Sequence, residues 1–391
     1  MTALTESVDD IRLFLGNVHV RKEIMAIIMK QILISGYYGF GNSGDDALLL
    51  SIIKDFERKG LKDRVVVLSY RPEETEREYG VKAVSRMNPF AVFLSILKAR
   101  LFISGGGTLI QDGTSTKSLL YYLSLIRLAK LFGKKVMLYA NGIGPVRKKS
   151  NRRLCKKVLN RVDAITVRDK KSLSELEALG ITVPEIRLTA DPVFLLEKDE
   201  SVDELLQKHG LDNDIFCIAV RSPKSGSGEF AEKLAFAADR LSEKYGMRAV
   251  LLPLQSIDGD ISDEICRKMH SGGIVIRERL SPGQILSFVS RCRMCIGMRL
   301  HMLIYAAAMG VPIVGIVYDP KVSGFMEYAE QELYIDLEAL TEDKLFELAD
   351  RCMSEREALS ASLAEVRKKL CAFAEENMNT AVRLYSEVEV E

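Results

Sequence analysis

From Gln31 onward, short apolar runs alternate with amphipathic stretches of helical period, and this alternation restricts the fold more than any other feature. A chain patterned in this way packs parallel strands beneath crossover helices, with both sheet faces covered. Strands are expected at 32–35, 65–69, 101–104, 136–139 and 164–167, with helices at 45–58, 117–132, 152–160 and 171–179. The alternation breaks at 191–213, where Asp191-Pro192 leads into a charged run suited to a connector with a short helix. It then restarts, with strands expected at 216–220, 249–252, 274–276, 294–297 and 312–317. Helices are expected between them at 229–244, 261–269, 282–290 and 300–309, and a last one at 322–330. The expected architecture is therefore α/β: two Rossmann-like, doubly wound domains facing a cleft. Their bounds are 31–195 and 196–340, preceded by an extension at 1–30 and followed by helices over 341–391.

At 391 residues, 47% of them hydrophobic, the chain can bury two such cores. Fifty-five Lys and Arg against 54 Asp and Glu leave a net charge of +1, which gives no reason to expect nucleic acid as a partner. No run of about 18 apolar residues occurs, and the first residues are too polar for a secretory signal, so a cytoplasmic protein is expected. Seven scattered cysteines suit reduced thiols; Cys292 and Cys295 have CxxC spacing but lack two further ligands, and are read as core packing. No metal and no cofactor is expected.

In sheets of this kind ligands bind beyond the carboxyl ends of the strands, so the loops there carry the chemistry. The first strand runs into Gly36-Tyr37-Tyr38-Gly39-Phe40-Gly41-Asn42-Ser43-Gly44-Asp45-Asp46, where the spacing is not that of a dinucleotide fingerprint. Asp45 and Asp46 at a helix start repel phosphate but accept hydrogen bonds from sugar hydroxyls; the plainer role for Asp45 is helix capping. A second loop, Gly105-Gly106-Gly107-Thr108-Leu109-Ile110-Gln111-Asp112, brings backbone and two polar side chains close to a ligand. A third holds Asn141-Gly142-Ile143-Gly144-Pro145, followed by Arg147, Lys148 and Lys149, which either meet an anionic acceptor or form a solvated basic helix start. The acceptor-binding candidates are thus Asn42, Gly44, Asp45, Gly106, Gly107, Gln111, Asp112, Asn141 and Arg147.

The second half carries cations instead. Arg221, Arg277, Arg299 and Lys321 each follow an expected strand, and His301 lies two residues after Arg299. Alone, each reads as surface charge; at corresponding strand ends they converge on one sheet edge. Arginine grips carboxylate or phosphate bidentately and lysine adds a mobile charge, so a small ligand with both anions, such as phosphoenolpyruvate, suits the set. His301 is either a packed helix-start histidine or a functional group.

The segments GYYGFGNSGDDALL, SGGGTLIQD, NGIGP, AITVRD, ADPVF and GMRLHMLIYAAAMGVPIVGIVYDPK, in this order, resemble the polysaccharide pyruvyltransferase family over about residues 31–335. The similarity is greatest to bacterial members that pyruvylate a secondary cell-wall polymer. The resemblance implies a GT-B-like fold with phosphoenolpyruvate in the second domain. It also implies a lipid-diphosphate-linked acceptor containing N-acetylmannosamine. It carries donor binding and catalysis onto Arg299, His301 and Lys321, with Arg221 as a further donor ligand. Asn141 and Asp46 depart from the residues common in relatives, Gln and Glu, but keep their polarity.

On this reading the donor is protonated and attacked by two sugar hydroxyls, giving a cyclic ketal and phosphate. His301 is the candidate general acid, and Asp45 or Asp112 orients the acceptor hydroxyl. Two rivals share the fold: a nucleotide-sugar glycosyltransferase, with Glu327 gripping the ribose, and a non-catalytic phosphosugar-binding protein. The stretch 88–100, apolar with basic residues at its end, has two readings, a buried helix or a peripheral contact with the inner membrane face.

Overall fold

The computed structural model describes residues 30–198, 202–212 and 214–387, so the expected extension lies outside the described residues apart from its last position. Two parallel sheets organise the chain. The first holds β1 (Gln31–Ser35), β2 (Val65–Ser69), β3 (Lys82–Ser85), β4 (Ala99–Gly105), β5 (Lys135–Asn141), β6 (Ala164–Val167) and β7 (Glu185–Leu188). Their spatial order is β3-β2-β1-β4-β5-β6-β7. The second holds β8 (Ile215–Ala219), β9 (Arg248–Leu251), β10 (Gly273–Val275), β11 (Cys292–Gly297), β12 (Ile313–Val317) and β13 (Tyr334–Asp336), ordered β10-β9-β8-β11-β12-β13. Strand order reverses between β1 and β4 and again between β8 and β11. Those two reversals open the crevices in which doubly wound sheets bind ligands.

The period-two alternation of a strand sends neighbours to opposite faces. Ile32 and Ile34 join the core on one side of the first sheet while Leu33 joins the core on the other. Phe216 and Ile218 part from Cys217 and Ala219 in the same way. Cys292 and Cys295 lie in this second core as buried free thiols beside Cys217.

Three strands were not expected: β3, β7 and β13. All are sheet edges, and their sequences (KAVS, EIRL, YID) are only partly buried. An edge strand has one flank in water and lacks the continuous apolar run that betrays a central one.

The chain crosses between domains twice. Asp191 caps a short 3-10 turn, Pro192–Leu195, and leads into the helix Val202–Lys208. The last residues do not form a separate unit. The helix Glu342–Ser354 lays Leu345, Phe346, Ala349 and Cys352 on the second domain. The final helix, Arg356–Ser386, packs Leu363, Val366, Leu370 and Ala374 into the core shared with the second domain. Its Met378, Ala381, Leu384 and Tyr385 then enter the core of the first. The two crossings lie side by side, with Asn377 Nδ2 donating to Ala190 O at 3.0 Å and Cys371 Sγ to Phe194 O at 3.3 Å.

The stretch 88–100 contains the helix Pro89–Lys98, capped by Asn88. Val92, Ser95 and Ile96 are buried, whereas Phe90 and Leu94 face solvent. No helix among the described residues is long and apolar enough to cross a membrane.

Candidate active site

The two sheets present their carboxyl edges to a cleft of about 360 Å³. The first domain supplies one wall. Here the helix Ser43–Arg58 starts with Asn42 as its cap, whose side chain accepts from Gly44 N at 3.2 Å. Asp45 is therefore not the cap; it sits in the first turn, where the helix dipole favours negative charge. Asn42 Nδ2 donates to its carboxylate. Gly107, at φ +70°, lets the second loop pass so close that a Cβ there would lie 2.9 Å from Asp45 Oδ1.

Burial drives the Asp45 pKa up to about 7, Asp46 adds to the rise, and Arg168 and Lys321 oppose it. A carboxyl poised there exchanges protons at neutral pH. Asp46, also lifted by burial, reaches about 6 even though Arg279 of the second domain pairs with it.

The other wall is cationic. Arg221 follows β8, Arg299 follows β11, and Lys321 opens the helix Pro320–Tyr328 after β12. The Tyr318 ring lies between two of them, with Arg221 Cζ 5.1 Å and Lys321 Nζ 5.3 Å from its centroid. Arg299 Nε donates to Asp258 Oδ2 at 2.9 Å and its Nη2 to Oδ1, and this fork fixes the guanidinium. The helix Leu300–Ala308 starts beside it without a side-chain cap, and the Met302 N–H donates back to Arg299 O at 3.0 Å.

His301 stands where the walls meet. Its Nε2 is 3.9 Å from Asp191 Oδ2 and finds no hydrogen-bond partner among the described residues. Asp191 is held in turn by Arg168, whose Nη1 donates to it at 2.9 Å. Burial pushes the imidazole pKa down to about 4, Asp191 pulls it up, and Arg168 and Lys321 add to the fall. These surroundings therefore favour the neutral imidazole at pH 7. An anion bound beside it restores basicity, because negative charge favours the imidazolium.

Of the sequence candidates, Asn42, Gly44, Asp45, Gly107, Gln111, Arg221, Arg299, His301 and Lys321 line this one cleft. Six others stand elsewhere. Asn141 is fully buried behind the second loop, donating to Gly106 O at 3.0 Å, and Gly106 is pinned by its N–H to Tyr139 O. Asp112 accepts from the backbone N–H of Arg147 and Lys148 and from Asn151, so it braces the third loop, while Arg147 is exposed beside it. Glu327 is 55% exposed and pairs with Lys171 of the first domain, outside the cleft lining. Arg277 is taken up by Asp263.

Sequence reasoning missed Arg168, Asp191 and Asp258 as site residues. The first two lie just past strand ends in the segments AITVRD and ADPVF, and that position was the available signal. Asp258 gave none, since an acid before a helix reads as a cap.

With this geometry in hand, comparison with known proteins is decisive for the family. The sequence model for polysaccharide pyruvyl transferase matches residues 42–320. The chain belongs to that family. A curated relative, the amylovoran biosynthesis protein AmsJ of Erwinia amylovora, is 22% identical over 257 residues, 60% of this chain and 62% of that protein. The match thus spans about three fifths of that relative's length. Among solved structures, S. aureus MnaA in a co-structure with UDP aligns at TM-score 0.65 and 12% identity, covering 92% of this chain and 98% of that one. A glycosyltransferase from Rickettsia africae aligns at 0.61 and 12%, covering 93% and 99%. These likenesses establish a GT-B-like fold.

Proposed function

We propose that this pyruvyl transferase takes its pyruvyl group from phosphoenolpyruvate and sets it as a cyclic ketal on a sugar of a lipid-diphosphate-linked cell-wall precursor. N-acetylmannosamine is the acceptor sugar in this reading. The observation that carries it is the cation-lined wall of Arg221, Arg299, Lys321 and His301 facing a neutral-to-acidic wall that holds Asp45. One wall suits a small ligand with phosphate and carboxylate; the other suits hydroxyls.

The donor methylene takes a proton and becomes a methyl group, leaving an oxocarbenium centre at the adjacent carbon. One acceptor hydroxyl adds there and loses its proton to Asp45. The second hydroxyl then displaces the phosphate, closing the ketal, and its proton leaves with the phosphate. Arg299, held by Asp258, and Arg221 grip the donor's anions, and Lys321 stabilises the departing phosphate. His301 gains its proton once the donor's charge lies beside it, and then serves as acid or phosphate ligand.

The acceptor's lipid has a natural resting place on the first domain. Phe90 and Leu131 are 69% and 76% exposed, Met87 and Leu94 are exposed, and Phe93 meets Phe132 at 5.5 Å across the two helices that carry them. Lys98 and Arg127 are exposed on the same helices and suit an anionic cytoplasmic leaflet.

Phosphate release from phosphoenolpyruvate, measured with and without a synthetic lipid-diphosphate disaccharide containing N-acetylmannosamine, tests the reading. Acceptor-dependent release with a ketal-bearing product, lost in His301→Ala, is expected. Turnover of a nucleotide sugar in place of phosphoenolpyruvate overturns it.

A further inference from the structure

Three aromatic rings at the mouth of the cleft have no part in the chemistry above. Tyr37 and Phe40 come from the loop after β1 and Tyr70 from the end of β2. Their rings are stacked, with centroids 4.1 Å apart for Tyr37 and Phe40 and 4.6 Å for Phe40 and Tyr70, at interplanar angles of 9° and 15°. All three are well exposed, at 41%, 37% and 46%, although the adjoining Tyr38 is completely buried. Large rings kept in water together, beside a ring that is sent into the core, need a reason.

The stack is fixed in place. Tyr70 N donates to Tyr38 O at 3.0 Å, tying the two loops together. Gly39, at φ +79°, presses so near that a Cβ there would lie 2.7 Å from Arg71 N. Arg86 Nη1 donates to Gly36 O at 2.9 Å, and its guanidinium lies 5.2 Å from the Phe40 centroid. A ring held this way gives up little conformational entropy when something lies against it.

Phe40 is sandwiched, so the free faces of the stack belong to Tyr37 and Tyr70. Of the three only Tyr37 lines the cleft, and the same lining offers the neutral hydrogen-bonding groups of Asn42, Gln111, Thr114 and Ser118. A planar apolar face in a cleft that also carries neutral donors and acceptors matches a pyranose, which has a C–H face and hydroxyl edges.

We propose that the open face of Tyr37, backed by Phe40 and Tyr70, is the stacking subsite for a sugar ring of the acceptor. This rests on the pyruvyl-transfer reading for the acceptor's role, but the sugar-binding claim stands on the geometry of the stack.

The test is steady-state phosphate release at varied acceptor and varied phosphoenolpyruvate for wild type, Tyr37→Phe and Tyr37→Ala, with ligand-detected NMR of methyl N-acetylmannosaminide binding. Tyr37→Ala is expected to raise acceptor KM about tenfold or more with donor KM unchanged, while Tyr37→Phe stays near wild type. The unchanged donor KM also serves as the control for folding. An acceptor KM unaffected by Tyr37→Ala in an active enzyme overturns the subsite and leaves the function standing. Tyr37-dependent glycoside binding without phosphate release from any acceptor sinks pyruvyl transfer and keeps the subsite. Tyr37-dependent binding of UDP, with glycoside binding indifferent to the substitution, overturns the sugar assignment in favour of a nucleobase.

Discussion

Replacing Gly44 with alanine sets two effects of opposite sign against each other. Gly44 is the second residue of the helix Ser43–Arg58, and alanine in a helix is favoured over glycine by up to about 1 kcal/mol. Helix propensity alone therefore predicts a more stable protein. The added Cβ, however, would stand 2.5 Å from His301 Cγ and 2.6 Å from Cε1, with Nδ1 nearer still. Carbon atoms rest about 3.5–4.0 Å apart, so the ring must retreat by about 1 Å. Tyr305, one turn on, is locked by its hydroxyl to Ser43 O at 2.9 Å, so the imidazole retreats into the cleft it lines and leaves its present place.

Overpacking of this kind costs about 1–3 kcal/mol and outweighs the helical gain. A misplacement of about 1 Å in a catalytic group lowers turnover by roughly a hundredfold. Gly44→Ala is thus expected to lower both the melting temperature and the kcat of phosphate release. In a His301→Ala background the same substitution meets no ring, so its cost in stability should vanish and the propensity gain should emerge. A Gly44→Ala protein that is more stable than wild type and equally active would refute this account.

Asp45→Asn is expected to cut kcat by about 10²–10⁴-fold as the proton acceptor is lost, and wild-type activity should fall as pH drops below about 7. A raised carboxyl pKa contributes stability below its unfolded value that is lost as pH rises through about 7, so the same variant should melt higher than wild type at pH 8 but not at pH 4. Asp258→Asn breaks the fork on Arg299, whose side chain is 14% exposed, and should raise donor KM about tenfold or more without changing acceptor KM. The double variant Phe90→Ser, Leu131→Ser removes two exposed rings and chains that hold nothing together; thermal melting should be unchanged while co-sedimentation with anionic vesicles is lost.

The central strands were readable because burial on both faces leaves an unbroken apolar run, as in VVVLS of β2. Three of the four edges escaped, since a strand such as EIRL of β7 has to answer to water on one flank, whereas β10 was found. Cations at strand ends were legible by position, and Arg221, Arg299 and Lys321 do converge. Asn141 and Asp112 show where such reasoning fails. Asn141 ends β5 and Asp112 sits in the second loop, but one holds the glycine backbone from behind and the other accepts the amides of a neighbouring loop. Sequence gives the polar group and its loop; whether it faces ligand or backbone depends on a partner that is distant in the chain. The stack of Tyr37 and Tyr70 likewise needs two loops brought together from different strands.

The paired crossings between domains also set where the two halves are joined. With the segment from Ala190 to Leu195 and the final helix bonded to one another, the two links between the halves run as a single spine. Beyond that spine, Arg279 reaches across to Asp46, Glu74 and Glu78, and its pairs with the two partly exposed glutamates are of a kind that contributes only about 0–1 kcal/mol and weakens with salt. If the proposed acceptor enters here, those ion pairs have to be undone, while Arg221, Arg299 and Lys321, all carried by the second domain, keep their spacing.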